Sequence, residues 1–283
     1  MKTTTLAKRL LPGFRSRLLV RRILNLPRDT YETVTHQRDP LVPPHGLWFV
    51  GGEENYQAVN EEFMRYFVDF GGLQPNHRVL DVGCGIGVMA SRLTRFLSPQ
   101  GQYCGFDIVR LGITWATRNI TSRFPNFSFA HVDLFNKHYN PKGKISANEF
   151  RFPYDDATFD FVFLKSVFTH LLPDSIQHYL SEIHRVLKPG GRCLLTIFLL
   201  NGESLDLIVR GESSLPLVHE LQGSCRVLDP LFPETAIGIP ESDFMTYCNR
   251  LGWTLIPPTH YGSWCGRKSF LSYQDILVMT RSA

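Results

Sequence analysis

Cysteine is scarce, with six in 283 residues (84, 104, 193, 225, 248 and 265), and no two form a C-x-x-C pair. That spacing excludes a zinc-ligand set and argues against a disulfide framework; it is the pattern of reduced thiols in a cytoplasmic protein. No apolar run is long enough to span a bilayer, the best being Leu194 to Leu200, broken by Thr196. Acid is missing from residues 1–28, which hold Lys2, Lys8, Arg9, Arg15, Arg17, Arg21, Arg22 and Arg28. Set aside, those bases leave 22 basic against 26 acidic residues in the remainder, so the body is slightly acidic and lacks a general nucleic-acid footprint. No oxygen-rich cluster of magnesium or calcium type appears, and no metal is expected. Internal repeats and low-complexity tracts are also missing.

The basic end opens three readings: a membrane-surface helix, a partner-docking arm, or an organelle transit peptide. Arginines interrupt every apolar run there, which argues against a secretory signal. Pro12-Gly13 breaks any single helix, and residues 14–26 carry an imperfect apolar stripe. Residues 29–52, with Pro40, Pro43, Pro44 and Gly46, are expected to be a connector. A basic extension with its connector is thus expected over 1–45, and the main domain over 46–283.

The centre of the chain is Val79-Leu80-Asp81-Val82-Gly83-Cys84-Gly85-Ile86-Gly87. A short apolar strand runs into three alternating glycines and then a helical pattern, the first half of a Rossmann-type unit. The spacing is G-x-G-x-G, with Val88 where a dinucleotide fingerprint has its third glycine. Asp81, just before the loop, would repel a pyrophosphate and suits a ligand with a cationic end.

Strand and helix patterns alternate onward. Strands are expected at 78–82, 102–107, 127–132, 159–164, 192–199, 253–256 and 273–280. Helices are expected at 54–70, 87–97, 110–122, 174–187 and 241–251. The last two strands have no helix between them and should pair as an antiparallel hairpin. The fold class is therefore α/β, a doubly wound seven-stranded, mostly parallel sheet under an N-terminal helical lid. Long links at 134–158, 200–240 and 257–272 leave the carboxyl ends of strands, where open α/β sheets bind ligands. The longest, 200–240, is expected to be a substrate cap or an oligomer contact.

The glycine segment resembles motif I of the class I S-adenosylmethionine-dependent methyltransferases, and the order of later segments agrees with it over about 46–199 and more loosely over 241–283. The resemblance implies that S-adenosylmethionine is the cofactor and S-adenosylhomocysteine the product. It implies that Asp81, Gly83, Cys84, Gly85 and Gly87 hold the methionine part. Asp107, twenty residues past Gly87, would take the ribose hydroxyls, with Ile108 on the adenine. Asp133 and Leu134 would meet the adenine edge, and Ser166 the methionine end.

Methyl transfer from a sulfonium is an in-line displacement, so alignment dominates, and a hydroxyl acceptor also needs a base. His170, after the fourth strand, is the candidate base, with His260 and His219 in reserve; a structural role for His170 stays open. Asp155-Asp156 reads as turn chemistry and His184 as a helix end. Tyr56 and Phe49 are lid candidates, or packing for the lid. Tyr56, His260, Tyr261, Trp264 and Arg267 suit a saccharide or other polyhydroxylated acceptor, and equally a packed hairpin loop. The expectation is an O-methyltransferase of a small molecule or saccharide. N- or C-transfer, or a cofactor-binding protein without turnover, are the alternatives. A nicotinamide oxidoreductase and a nucleic-acid methyltransferase rank below these.

Overall fold

A computed structural model describes residues 13–49 and 56–282. The calls that touch residues 1–12 and 50–55 lie outside the described residues. Helix α1, Phe14–Val34, is followed by a proline-rich link with a short turn at His45–Leu47, then by α2, Tyr56–Asp69. The core begins with β1 (Arg78–Val82), α3 (Val88–Leu93), β2 (Gln102–Asp107), α4 (Arg110–Ala116), β3 (Phe127–His131) and β4 (Phe159–Leu164). It continues with α5 (Pro173–Val186), β5 (Leu187–Ile197), β6 (Leu199–Leu200), α6 (Gly202–Val209), β7 (His219–Glu220), β8 (Arg226–Val227) and β9 (Ile237–Pro240). Helix α7 (Glu241–Arg250), β10 (Trp253–His260) and β11 (Asp275–Arg281) complete it.

Seven strands form the main sheet in the order β10-β11-β5-β4-β1-β2-β3. All pairs are parallel except those of β11, which runs antiparallel to both β10 and β5. The period-2 pattern of the strands sorts their side chains to two faces. Phe161 and Phe163 of β4 pack with Phe63 and Phe67 of α2 and Leu93 of α3, whereas Val162 and Leu164 pack with Ile176 and Leu180 of α5 and Phe244 of α7. Both faces are therefore dry, which is why β1 and β4 read as continuous apolar runs. The expected sheet is the observed one.

Three details differ from the sequence expectations. Residues 29–34, assigned to the connector, complete the last turns of α1. Asp29 explains this: its carboxylate accepts from the backbone N–H groups of His45 (2.8 Å) and Gly46 (2.9 Å) and from Arg38 (3.0 Å), fastening the helix to the link. Strand β5 starts at Leu187 rather than 192; Lys188–Gly191 bulge from the ladder between the pairs Phe159↔Leu187 and Phe161↔Arg192. The 200–240 insertion holds α6 and a second sheet, β6-β9-β8-β7. That sheet extends β5 through β6 and buries Leu217, Ala236, Trp264 and Cys265 together.

Candidate functional site

The loop between β1 and α3 needs its glycines. Gly83, Gly85 and Gly87 have φ of +78°, +58° and +80°, where other residues are strained. A Cβ on Gly83 would stand 2.6 Å from Val167 Cγ2, and one on Gly87 3.1 Å from Ala116 Cβ. The loop is thereby pulled against the end of β4 on one side and α4 on the other.

Two carboxylates flank it. Asp81 is buried and accepts a 2.6 Å hydrogen bond from the Tyr103 hydroxyl. Burial pushes its carboxyl up to about 7, against the lowering effect of that hydrogen bond. Asp107 is clamped by backbone: Val109 N–H donates to one oxygen (2.7 Å) and Gly85 N–H to the other (2.8 Å). Burial raises this group too, and those amide bonds oppose the rise. The clamp leaves one lone pair on each oxygen and fixes where it points.

At the end of β4, Lys165 donates to Asn60 Oδ1 (2.7 Å) and lies 4.6 Å from the centre of the Phe63 ring. Burial lowers its ammonium to about 8. Ser166 has φ +60°, a strained value for a side-chain-bearing residue. It is held by its N–H to Thr196 Oγ1 (2.8 Å) and its hydroxyl to Gln274 Oε1 (3.0 Å).

His170 closes this end. Its Nδ1 lies 2.8 Å from the carbonyl of Glu234, in the 200–240 insertion. A carbonyl only accepts, so Nδ1 carries the proton and the neutral ring keeps Nε2 as an acceptor. Burial lowers the imidazole pKa, against the raising effect of the Glu234 and Thr235 backbone, which favours this neutral form.

These groups line one cavity of about 410 Å³. Asp81, Gly83, Cys84, Gly85, Asp107, Ile108, Leu134, Ser166 and His170 all face it, as does Tyr56; Gly87 shapes the loop from behind. Trp48, Phe49, Asn60, Tyr139 and Lys165 also line it. Trp48 stacks at a tilt on Tyr56, ring centres 4.5 Å apart, as a lid over the glycine loop. Trp48 Nε1 and Asn60 Nδ2 are buried donors with no acceptor among the described residues. Sequence reasoning missed Asn60 and Lys165. The available signal was a lone lysine ending the apolar run Phe159–Leu164, and a lone asparagine on the inner face of α2.

Other candidates fall elsewhere. Asp133 lines a neighbouring cleft beside α1, where Asn140 Nδ2 donates to it at 3.1 Å. Trp264 is fully buried and donates to Asp275 Oδ2 (2.9 Å). Arg267 is 5% exposed and bonded to Glu203 (2.8 Å) and Asp275 (3.3 Å). These two hold the insertion to the hairpin, so the expectation that they meet an acceptor is corrected: neither offers a face to one. Tyr261 donates to Glu241 (2.5 Å) under the Arg267 guanidinium, and His260 stacks on Phe70 at 4.3 Å. Neither lines the cavity, and His219 is exposed on β7.

Residues 80–195 match the family model described as a methyltransferase domain. A phthiotriol/phenolphthiotriol dimycocerosates methyltransferase of Mycobacterium ulcerans is 37% identical over 119 residues, covering 42% of this chain and 36% of that protein. A sterol 24-C-methyltransferase of Schizosaccharomyces pombe is 31% identical over 185 residues, 65% of this chain and 42% of that one. This chain thus aligns with less than half the length of either relative. A solved S-adenosylmethionine-dependent methyltransferase of Methanosarcina mazei superposes with a TM-score of 0.52 at 20% identity, covering 76% of this chain and 97% of that one. That likeness concerns the fold.

Proposed function

We propose, for a chain that carries a methyltransferase domain on a class I fold, that it moves a methyl group from S-adenosylmethionine to a small-molecule acceptor, and that the acceptor atom is a hydroxyl oxygen. The observation that carries the reading is the meeting, in one cavity, of a clamped Asp107, a buried Asp81 and two orphan donors, Trp48 Nε1 and Asn60 Nδ2. Those groups fit the cofactor's parts. Asp107 suits a pair of ribose hydroxyls, Ile108 and Leu134 an adenine face, Asp81 an ammonium, and the two donors a carboxylate. A buried donor without a partner costs about 1–3 kcal/mol, which a ligand acceptor would relieve. Asp133 would join the adenine edge through the acceptor sites that Asn140 leaves on its carboxylate.

When bound, the cofactor supplies an electrophilic methyl on a cationic sulfur. The chain's own residues supply position and proton transfer. The lid of Trp48, Phe49 and Tyr56 shields the cavity from water. His170, its Nδ1–H held by Glu234, presents Nε2 to take the acceptor's proton. General-base catalysis of this kind contributes roughly 10²–10⁴-fold.

The relatives' names include a sterol carbon acceptor, so the acceptor atom is what the experiment must decide. Calorimetry with S-adenosylhomocysteine tests the cofactor; a methyl-transfer screen with hydroxyl acceptors then tests the atom. Cofactor binding with turnover that drops about 10²-fold or more in His170→Ala supports the reading. Tight binding with unaltered turnover in that variant would remove His170 as base. Binding without turnover on any acceptor would leave a cofactor-binding protein.

A further inference from the structure

Helix α1 is apolar on the side turned away from the protein. Its inner side holds the buried Leu18, the half-buried Asn25 and the anchoring Asp29. On the outer side stand Leu19, Ile23, Leu24, Leu26, Tyr31 and Val34, each between 56% and 73% exposed. At about 100° per residue these fall on one continuous arc opposite Leu18. A monomer in water gains nothing by this arrangement, because six large apolar side chains sit together in solvent.

The charges give the occupant. Arg15 and Arg22 border the arc on one edge, Arg17 and Arg28 on the other. Of the two carboxylates of the helix, Asp29 is drawn inward to His45, Gly46 and Arg38, and Glu32 is held by His45 (3.0 Å) on the inner side and by Arg28 (2.8 Å) at the edge. The outer half is therefore a greasy strip between two rows of guanidinium groups, with no acid in it. A second copy of the same helix would bring arginine rows against arginine rows. An anionic lipid surface matches both parts: acyl chains for the strip, phosphates for the rows. Asp29, accepting from the His45 and Gly46 N–H groups, and Arg21, donating to the His45 carbonyl (2.8 Å), hold the helix in place, so the strip is presented as a fixed plane.

We infer that α1 is an in-plane docking helix that seats the protein on a membrane rich in anionic lipid. This goes beyond the methyl-transfer reading and is separable from it.

The test uses the full chain and vesicle flotation, with phosphatidylcholine alone and with phosphatidylcholine containing phosphatidylglycerol. The expected result is flotation at least tenfold greater with the anionic vesicles, weakened by salt. The triple variant Leu19→Ser, Ile23→Ser, Leu26→Ser should lose it, and Arg15→Gln with Arg22→Gln should lose the preference for anionic lipid. Binding of S-adenosylhomocysteine by the same variants serves as the folding control and leaves the vesicle result independent of the function. Full-chain protein that stays at the bottom with both vesicles overturns the inference. So does light scattering that shows a dimer dispersed by the triple variant, since a second copy would then be the occupant.

Discussion

Asp81 has a carboxyl group strongly affected by its surroundings. Its pKa of about 7 lies above the usual carboxylate range of about 3.9 because it is buried. The folded protein therefore holds that proton more tightly than the unfolded chain does. Its contribution to stability is complete below about pH 4 and is lost as pH rises through 7. Asp81→Asn keeps an acceptor for the Tyr103 hydroxyl and removes the ionisation. Its melting temperature, relative to the native protein, should climb between pH 5 and 7.5; a flat difference by calorimetry would refute the assignment. The same variant should bind S-adenosylhomocysteine at least tenfold more weakly at pH 8, and the native protein's affinity should rise from pH 6 to 8 with proton release. Asp107→Ala loses two amide clamps and the ribose acceptors together, so affinity should fall roughly 10- to 100-fold, at about 1.5–3 kcal/mol for hydrogen bonds to charge.

Among the elements, the β1–α3 loop and the insertion each support the cavity in a way that can be separated. Gly83→Ala places a methyl at a left-handed position and against Val167, so both Tm and cofactor affinity should drop, by about 1–3 kcal/mol in stability. Thermal denaturation with and without S-adenosylhomocysteine measures both. The turn Pro233–Thr235 acts on His170 through one carbonyl. Shortening residues 229–235 should spare cofactor binding, lower turnover, and move the lower limb of the pH–rate profile upward, because His170 would lose its buried, neutral setting. An unmoved profile would show that Glu234 does not tune it. Arg185 belongs to this scale as a structural clamp. It bonds Glu182 (2.6 Å), Asp156 (2.7 Å) and the carbonyls of Phe152 and Tyr154, tying α5 to the approach of β4. Asp156 is thus a partner of this clamp, a role the sequence, which suggested turn chemistry, did not indicate.

At the scale of the whole molecule, ligand binding should stiffen the lid and the sheet together. At 100 times its Kd, S-adenosylhomocysteine adds about 2.7 kcal/mol of stability to the native protein by mass action, and the same concentration should add only about 0.4–1.4 kcal/mol to Asp107→Ala, a difference that a thermal shift will show. No helix among the described residues is long and apolar enough to cross a membrane.

The glycine loop, the ends of β1, β2 and β4, and the antiparallel last strand were legible in the chain because each depends on local chemistry: backbone freedom, side-chain alternation, and connection length. Asp81, Asp107 and His170 came with them, since their places follow from the strands that carry them. What lies far apart in sequence was decided only by tertiary structure. Trp264 and Arg267 look like a ligand platform until Asp275 and Glu203 take their hydrogen bonds. Asn60 and Lys165, 105 residues apart, become partners only when α2 crosses the end of β4. His170 gains its tautomer from Glu234, 64 residues on. The outward strip of α1 emerges only once Asp29 has fixed which side of the helix turns inward. Local patterns set each element's type, whereas a contact between distant residues exists only after the sheet has closed and water has left.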